Sequence, residues 1–392
     1  MRTVLISGAG IAGLSLAYWL TEYGFRPTVV ERSPALRTGG QAIDIRGTAR
    51  EVISRMGLMD TIRAHHTGTH GIAFLNEAGE HVARMGGDDF GDSGGIVAEI
   101  EILRGDLVRI LHEALPSGVE FLFGDRIVAM TEHADGVDVT FAEAAPRTFD
   151  IVVGADGVRS GVRELMFEAD VRDLGYYSAY FAARLDLDFD GWELMYSVPR
   201  RNVILYPVGD SGEVRAMFAF SGPVVPDARR DPKALLAREF DGVGWHVPGL
   251  IEQLWRAEDV YVDRFTEVRV EHWSNGRVVL LGDSAFGGSI GMGTSMAIVG
   301  AYVLAGELSE NGHEHAFARY QNEMRDYVAT NRKRPPGGTN GFLPRTRRGI
   351  WLRNQFMRLL TRLPGRKKMM GGMDKAASSI TLKSYTRSVS PG

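Results

Sequence analysis

The sequence contains no cysteine among its 392 residues. Without thiols the chain cannot form disulfides, thiolate-ligated zinc sites, iron–sulfur clusters or a catalytic cysteine. It also contains no Ser–His–Asp order and no H-E-x-x-H pattern, and its 10 histidines are scattered, so we expect neither a hydrolytic triad nor a metal site. The 44% hydrophobic and 24% charged residues are typical of a globular protein of two or three domains.

Acidic residues are almost absent from the C-terminal part of the chain. From Asn331 onward there are 15 basic residues and one acid, whereas the first 330 residues carry 30 basic and 48 acidic groups, a net charge of −18. The whole chain has a net charge of −4, which gives no reason to expect nucleic-acid binding. Residues 347–363 have the pattern of an amphipathic helix with interspersed arginines. This helix either docks on the acidic body and braces its domains, or lies on an anionic membrane or partner; the acidic body favours docking.

One uncharged run, Thr3 to Leu20, has 18 residues, long enough for a membrane helix or the apolar core of a secretory signal. Three glycines interrupt it, and a second apolar run that ends in Glu31 follows. We therefore expect a strand, a turn, a helix and a second strand in a cytoplasmic enzyme, and no membrane binding.

The turn in this run reads Gly8-Ala9-Gly10-Ile11-Ala12-Gly13, a G-x-G-x-x-G motif between a β-rich run and a helix-like segment. Its glycines permit a tight turn, close approach of a pyrophosphate to backbone, and close packing of the helix on the strand. Glu31 follows the second strand, where an acid accepts hydrogen bonds from a ribose diol and repels a 2′-phosphate. The unit predicts binding of FAD or NAD rather than NADP.

Two later segments also follow directly after strand-like runs. Residues 149–153 lead into Asp156-Gly157, and residues 277–281 lead into Gly282-Asp283. Gly291-Met292-Gly293 then opens a helical stretch, whose free N–H groups are suited to stabilising negative charge.

With these motifs in this order, the chain resembles the class A flavin-dependent monooxygenases of the p-hydroxybenzoate hydroxylase fold, and among them the tetracycline-modifying monooxygenases. The resemblance implies FAD as the cofactor and NAD(P)H as a transient electron donor. It implies hydroxylation by O2 of a medium-sized aromatic or polyketide-like small molecule, through a flavin C4a-hydroperoxide. We expect a monomer or a weak dimer.

The resemblance also implies a set of cofactor-binding residues. They are Gly8, Gly10, Ile11, Ala12, Gly13, Glu31, Arg32, Gln41, Ala42, Asp44, Arg46, Arg104, Asp156, Gly157, Gly282, Asp283, Gly291, Gly293, Thr294 and Ser295. Gln41 to Arg46 belong to a loop that is similar to the family's loop beside the isoalloxazine, and Arg104 opens an R-x-x-L stretch whose arginine would neutralise diphosphate charge.

The expected fold class is α/β, with a Rossmann-like FAD-binding domain of the GR2 type, an antiparallel-sheet substrate domain and a C-terminal helix. The predicted FAD-binding domain comprises residues 1–69, 99–170 and 273–330. The predicted substrate domain comprises residues 70–98 and 171–272, and residues 331–392 form the basic helical segment.

Between Arg172 and His272 the sequence predicts short strands at residues 176–187, 193–198, 203–208 and 214–220. Their inward side chains would line a substrate cavity. The candidates for this lining are chosen only because side chains alternate between the two faces of a strand. They are Tyr196, Tyr206, Arg215, Met217 and Phe218. For each of them an ordinary core or surface role is the competing interpretation.

The chain departs from the family pattern after Gly282-Asp283. Phe286 replaces the usual histidine, Ser295 replaces the usual asparagine, and the loop between them lacks its proline. These departures leave two alternatives open: a flavin-dependent reductase, dehydrogenase or oxidase that inserts no oxygen, or a non-catalytic flavin- or small-molecule-binding protein. The catalytic residues are not predicted.

Overall fold

The computed structural model describes residues 2–37, 39–86, 100–208, 212–225, 228–333, 339–362 and 372–386. Parts of the predicted 70–98 and 331–392 segments lie outside these residues. The strands are β1 (Thr3–Ser7), β2 (Arg26–Glu31), β3 (Ala42–Asp44), β4 (Gly71–Leu75), β5 (His81–Gly86), β6 (Glu101–Leu103), β7 (Glu120–Phe123), β8 (Ile127–His133), β9 (Gly136–Phe141), β10 (Arg147–Phe149), β11 (Ile151–Gly154), β12 (Asp170–Arg184), β13 (Trp192–Val198), β14 (Arg201–Val208), β15 (Glu213–Ser221), β16 (Tyr261–Arg269), β17 (Ser274–Asn275) and β18 (Val278–Leu280).

The helices are α1 (Ile11–Glu22), α2 (Thr48–Arg55), α3 (Met59–Ala64), α4 (Arg104–Glu113), α5 (Gly161–Met166), α6 (Pro232–Glu239), α7 (Val247–Arg256), α8 (Asp283–Phe286), α9 (Gly293–Glu310), α10 (His313–Asn331), α11 (Thr339–Phe342), α12 (Arg347–Leu360) and α13 (Gly372–Ala377). In the described part of the chain, none of these helices has the length and apolarity to cross a membrane.

A six-stranded sheet, called here the central sheet, has the order β17-β18-β11-β1-β2-β7. β1 pairs in parallel with β2 and β11, and β18 pairs in parallel with β11. The strands β1, β11 and β18 are almost entirely buried and apolar, because both faces of a parallel sheet are covered. The long helices α1 and α9 pack against each other and are apolar nearly all round, which is the pattern of buried helices.

A seven-stranded sheet, called here the outer sheet, has the order β16-β12-β15-β14-β13-β4-β5. Its pairs are antiparallel except for β4 with β13. The predicted strands are present, and β12 begins earlier than expected, at Asp170. One face packs on α6 and α7 through a core that includes Phe240 and Leu250. The other face contacts Ala42 of β3 and Leu343 of the tail.

The basic tail contacts the outer sheet through α12, as the docking interpretation expects. Asn354 is 4% exposed and donates a hydrogen bond to the Leu75 carbonyl at 3.4 Å. Arg353 donates to Ser197 Oγ at 2.9 Å and lies over the ring of Phe74. Burial lowers the pKa of Arg353 to about 10.

Residues 372–386, called here the C-terminal strap, lie against the helices α2 and α9. Thr48 Oγ1 donates to the Ile380 carbonyl at 3.1 Å. Lys383 Nζ and Tyr385 Oη each donate to Glu307 Oε1 at 2.9 Å, and Glu307 on α9 is fully buried. The tail therefore contacts two parts of the molecule: α12 lies on the outer sheet, and the strap lies on α9.

A methyl group at Gly306 should displace the strap. A Cβ built there lies 2.1 Å from the ring of Tyr385, whereas a Cβ at Gly249 in helix α7 meets no atom within 4 Å. Gly-to-Ala exchange inside a helix ordinarily stabilises by about 0.5–1 kcal/mol. We expect Gly249→Ala to show this gain and Gly306→Ala to lose about 1–3 kcal/mol instead through overpacking, measured by urea unfolding. Equal gains in both variants would contradict the strap contact.

Replacing Glu307 should weaken the strap in a pH-dependent way. Burial alone would raise the pKa of Glu307, but hydrogen bonds from Lys383, Arg319 and Tyr385 outweigh it, and the pKa is lowered. The carboxylate therefore contributes stability at neutral pH that is lost as the pH falls below about 4.5. We expect Glu307→Gln to cost about 3 kcal/mol at pH 7, and the difference from wild type to shrink in acid. A difference that does not vary with pH would contradict this assignment.

Candidate functional site

The turn after β1 has the geometry that its glycines predict. Gly8 has φ +108°, and a Cβ there would lie 2.6 Å from the Ala155 carbonyl oxygen. A Cβ at Gly13 would lie 2.0 Å from the Gly8 carbonyl oxygen, so helix and turn approach too closely for any side chain. Both positions require glycine for the fold itself.

Gly10 is different, because the space beside it is open. A Cβ there would meet only Arg104 Nη2, at 3.9 Å, and the backbone φ of −84° suits any residue. Gly10 is the N-cap of α1, which has no side-chain cap and no acid in its first turn. Ile11 is buried and Ala12 half-buried behind the turn. The free N–H groups and the helix dipole therefore face an open space that suits an anion.

Glu31 lies at the end of β2, directly beside this turn. Its carboxylate accepts hydrogen bonds from Ala9 N at 3.0 Å and Ser33 N at 2.9 Å. A carboxylate has about four acceptor positions, so Glu31 retains capacity for a ribose diol. The side chain of Arg32 is exposed, and among the described residues no contact ties it to the turn.

Arg104, at the start of α4, lies near both the glycine turn after β1 and Asp283. Burial and the nearby Arg37 cation lower its pKa, while Tyr261, Glu31 and Asp283 act in the opposite direction. In the described part of the chain none of these groups forms an ion pair with Arg104. A guanidinium held beside an uncapped helix and without a carboxylate partner is suited to a diphosphate.

Asp156 and Gly157 follow β11 at the same edge of the central sheet. Asp156 Oδ2 accepts from Gly161 N at 2.8 Å and from Ser7 Oγ at 3.3 Å, and burial raises the pKa of Asp156. Its Oδ1 is buried and has no partner among the described residues. Gly157 has φ +81°, which lets the chain turn away from the strand.

Gly282 and Asp283 follow β18, one strand further along. Asp283 lies deep between protein walls, whose desolvation raises its pKa, and Arg104 and Arg332 partly offset this. The residue is nevertheless exposed to solvent, as expected for a side chain on the floor of an open cleft. A Cβ at Gly293 would lie 3.6 Å from Asp283 Oδ1, so the first turn of α9, with Thr294 half-buried, meets the same cleft.

The predicted loop beside the isoalloxazine, residues 39–47, is called here the cofactor loop. Arg46 is 4% exposed and pairs with Asp44 at 2.7 Å, and its N–H donates to Ser295 Oγ at 2.9 Å. The Gln41 carbonyl accepts from Arg104 N at 2.9 Å. A Cβ at Gly291 would lie 3.9 Å from Asp44 Oδ2. Ala42 lies in β3 of the loop, which thus touches both Arg104 and the start of α9.

Phe286, which replaces the usual histidine, points into the core. It is 1% exposed, and its ring lies 4.9 Å from that of Trp273. This departure therefore changes core packing and leaves the cleft without a side chain at that position. Ser295, the other departure, joins α9 to the cofactor loop.

The outer sheet separates the five predicted substrate residues. Tyr206 pairs with Arg215, and Met217 pairs with Ile204 and Tyr180, which puts them on the face that contacts the cofactor loop. Tyr206 Oη donates to Met217 Sδ at 3.0 Å. Arg215 forms ion pairs with Asp259 and Glu213.

The structure does not bring the other two residues to this face. Tyr196 stacks on Trp245 at 5.1 Å, and Phe218 packs on Phe240 at 4.4 Å, both in the core with α6 and α7. Each is one residue out of register with the inward face, because successive side chains of a strand alternate.

Sequence reasoning missed three charged residues at this site. Arg163 is buried and donates to the Ser284 carbonyl at 3.2 Å, which ties the Asp156 segment to the Asp283 segment. Glu101 and Glu193 are buried together between the cofactor loop and the outer sheet. The only signal in the sequence was a charge inside or next to an apolar run, and that signal names no partner.

The uncapped helix α1, the Arg104 guanidinium without a carboxylate partner among the described residues, and the turn from Gly8 to Gly13 together define a cleft for an adenine dinucleotide. Residues 1–331 match the family model described as FAD binding domain. A relative over nearly the full length, a "Flavin-dependent monooxygenase" from an unknown prokaryotic organism, is 33% identical over 400 residues, covering 98% of this chain and 99% of the relative. The chain therefore belongs to the FAD-dependent monooxygenases, as its motifs predicted.

Two further proteins are similar to this chain over most of its length. "Uncharacterized protein Rv1260" of Mycobacterium tuberculosis is 39% identical over 343 residues, covering 84% of this chain and 92% of that protein. The crystal structure of the tetracycline destructase Tet(51) has a TM-score of 0.83 and 28% identity, covering 98% of this chain and 100% of the other. The predicted fold class and the predicted cofactor, FAD, are confirmed; the GR2 subtype and the domain boundaries stay predictions.

Two glycines of the first turn should separate binding from folding. Gly10→Ala should leave the apoprotein stable, because its Cβ meets only the end of Arg104, but should block the approach of the diphosphate. We expect FAD affinity to fall roughly 10- to 100-fold, comparable to the loss of one charge-assisted hydrogen bond. The measurement is titration of apoprotein with FAD, followed by quenching of flavin fluorescence.

Gly13→Ala serves as the matched comparison, because its Cβ would clash with backbone whether or not FAD is bound. It should lower the unfolding temperature of the apoprotein. Wild-type FAD affinity in Gly10→Ala would show that the diphosphate does not lie against this turn.

Proposed function

We propose that this FAD-dependent monooxygenase takes its electrons from NADH or NADPH and inserts one oxygen atom of O2 into a medium-sized aromatic or polyketide-like small molecule. The observation that carries the substrate class is the composition of the inward face of the outer sheet. Tyr180, Tyr206 and Met217 share that face with the polar Arg215. Aromatic rings and a thioether beside a few polar groups suit a flat, partly aromatic ligand.

The cofactor-binding roles follow from the cleft. Gly8, Gly10 and the first turn of α1 would receive the diphosphate together with Arg104, and Glu31 would accept the adenosine ribose diol. Asp283 would accept from a ribityl hydroxyl, and the cofactor loop with Gly291 and the start of α9 would hold the isoalloxazine. When bound, FAD supplies the redox and oxygen chemistry.

The protein's own residues then have two tasks. The backbone N–H groups of the first turn of α9, with no acid in that turn, would stabilise negative charge on the ring system. The outer sheet would cover the reacting edge and exclude water, because Tyr180, Tyr206 and Met217 lie opposite the cofactor loop. Placement and exclusion of water, rather than an acid–base set, are the protein's share.

The name of the structural relative narrows the first substrates to test. Tet(51) is a tetracycline destructase, so a tetracycline joins simple phenols and other polycyclic phenols in a panel screened for stimulated NADH or NADPH oxidation. Product that carries 18O from 18O2 supports the proposal. Substrate change without incorporated oxygen would support a reductase, dehydrogenase or oxidase in its place.

Two tyrosines of the outer sheet should behave oppositely towards whichever substrate responds. Tyr206→Phe removes a hydroxyl from the inward face and should raise KM about three- to tenfold, the value of one neutral hydrogen bond. Tyr196→Phe changes a ring stacked on Trp245 on the opposite face and should leave KM unchanged. Steady-state kinetics of both variants measure this, and equal effects would show that the substrate does not contact the inward face.

A further inference from the structure

Two glutamates are buried against each other where the outer sheet meets the cofactor loop. Glu101, in β6, is 7% exposed and Glu193, in β13, is 4% exposed. Their side chains lie within hydrogen-bond reach of each other. Two carboxylates buried side by side repel each other strongly unless a proton lies between them.

The hydrogen bonds around the pair indicate where the proton is. Glu101 accepts from the hydroxyls of Thr67 and Thr69, as an ionised carboxylate does. Glu193 accepts from neither, and its Oε1 is buried without a partner among the described residues. A carboxylate cannot donate, so a hydrogen bond between the two requires one neutral acid, and Glu193 is that acid. Burial, and then the charge and hydrogen bond of Glu101 and the charge of Asp44, raise the pKa of Glu193.

The groups around the pair connect it to the cofactor loop. Asp44 is opposite Glu101 in the β3–β6 ladder, and it is paired with Arg46 at 2.7 Å. On the other side Tyr206 of β14 lies in the field of Tyr180, Glu193, Glu101 and Asp44, which together with burial raises its pKa. The order across the cleft is therefore Gly291, Asp44, Glu101, Glu193 and the outer sheet.

We propose that Glu101 and Glu193 share one proton, and that Glu193 is a positioning residue whose O–H···O bond to Glu101 fixes the outer sheet against the cofactor loop. Loss of the proton leaves adjacent negative charges on Glu101 and Glu193 with Asp44 beside them. Their repulsion pushes β13 away from β6, and the cofactor loop loses its support on the substrate side. The proton sharing does not depend on the proposed substrate, whereas any effect on the space between the outer sheet and the cofactor loop as a substrate site rests on the proposed function.

The test compares wild type with Glu193→Gln, whose amide donates to Glu101 at every pH and cannot ionise. Glu252→Gln, at an exposed position of α7, is the matched control. The first readout is the infrared carbonyl band of a protonated carboxyl group in the apoprotein at pH 7. We expect it in wild type and in Glu252→Gln and not in Glu193→Gln.

The second readout is the dissociation constant of FAD against pH. We expect the constant for wild type and Glu252→Gln to rise roughly tenfold at alkaline pH as the shared proton is lost, and that for Glu193→Gln to stay level. The free energy of unfolding should also fall with rising pH in wild type. Because the pKa of Glu193 is raised, wild type should lose stability relative to Glu193→Gln as the pH rises above about 4.5.

The absence of the protonated-carboxyl band from wild type at pH 7 would overturn the proposal, as would an unchanged alkaline profile in Glu193→Gln. Neither readout needs turnover, so failure to find a substrate leaves this test intact. If Glu193→Gln does not fold, Glu101→Gln replaces the other member of the pair and is measured in the same way, with a level FAD profile expected and a wild-type profile overturning the proposal.

Discussion

The parallel pairing of β1 with β2 and β11, and of β11 with β18, is the constraint on which the site depends. Strands that run the same way end at the same edge of a sheet. Gly8, Glu31, Asp156 and Asp283 follow these strands, so segments up to 275 residues apart in the chain meet along one line. Ligands of open parallel sheets bind at such an edge, and this is the edge to which our proposal assigns FAD.

The molecule treats its buried charges in three different ways. Glu307 is neutralised by Lys383 and Arg319 and accepts a further hydrogen bond from Tyr385, and this network attaches the C-terminal strap. Arg104 has no carboxylate partner in the described residues, so its charge remains available to an anionic ligand. Glu101 and Glu193 relieve their repulsion by sharing a proton. The cost of a buried charge is thus offset by ion pairs at Glu307, by an anionic ligand at Arg104 and by a shared proton at Glu101 and Glu193.

The departures from the family pattern have different consequences in three dimensions. Phe286 replaces a polar side chain by an apolar one and is absorbed by the core next to Trp273, so this change does not reach the cleft. Ser295 places a hydroxyl at the start of α9 where the family pattern has an amide, and that hydroxyl accepts from the backbone of Arg46. In this chain the hydroxyl of Ser295 therefore connects α9 to the cofactor loop.

The sequence by itself determined the strand–turn–helix unit, the order of the motifs, the cofactor and the four strands β12 to β15 of the outer sheet, but not β4, β5 and β16. Glycine spacing and apolar periodicity are local signals, and each of these features depends on local signals. Only the tertiary structure decided that Tyr206 and Met217 face the cleft while Tyr196 and Phe218 face α6 and α7, because a shift of one residue in a strand reverses the face and nothing local fixes which face is covered. The partnerships of Glu101 with Glu193, of Arg163 with Ser284 and of Glu307 with Lys383 join segments distant in the chain, and such contacts exist only once the layers have packed.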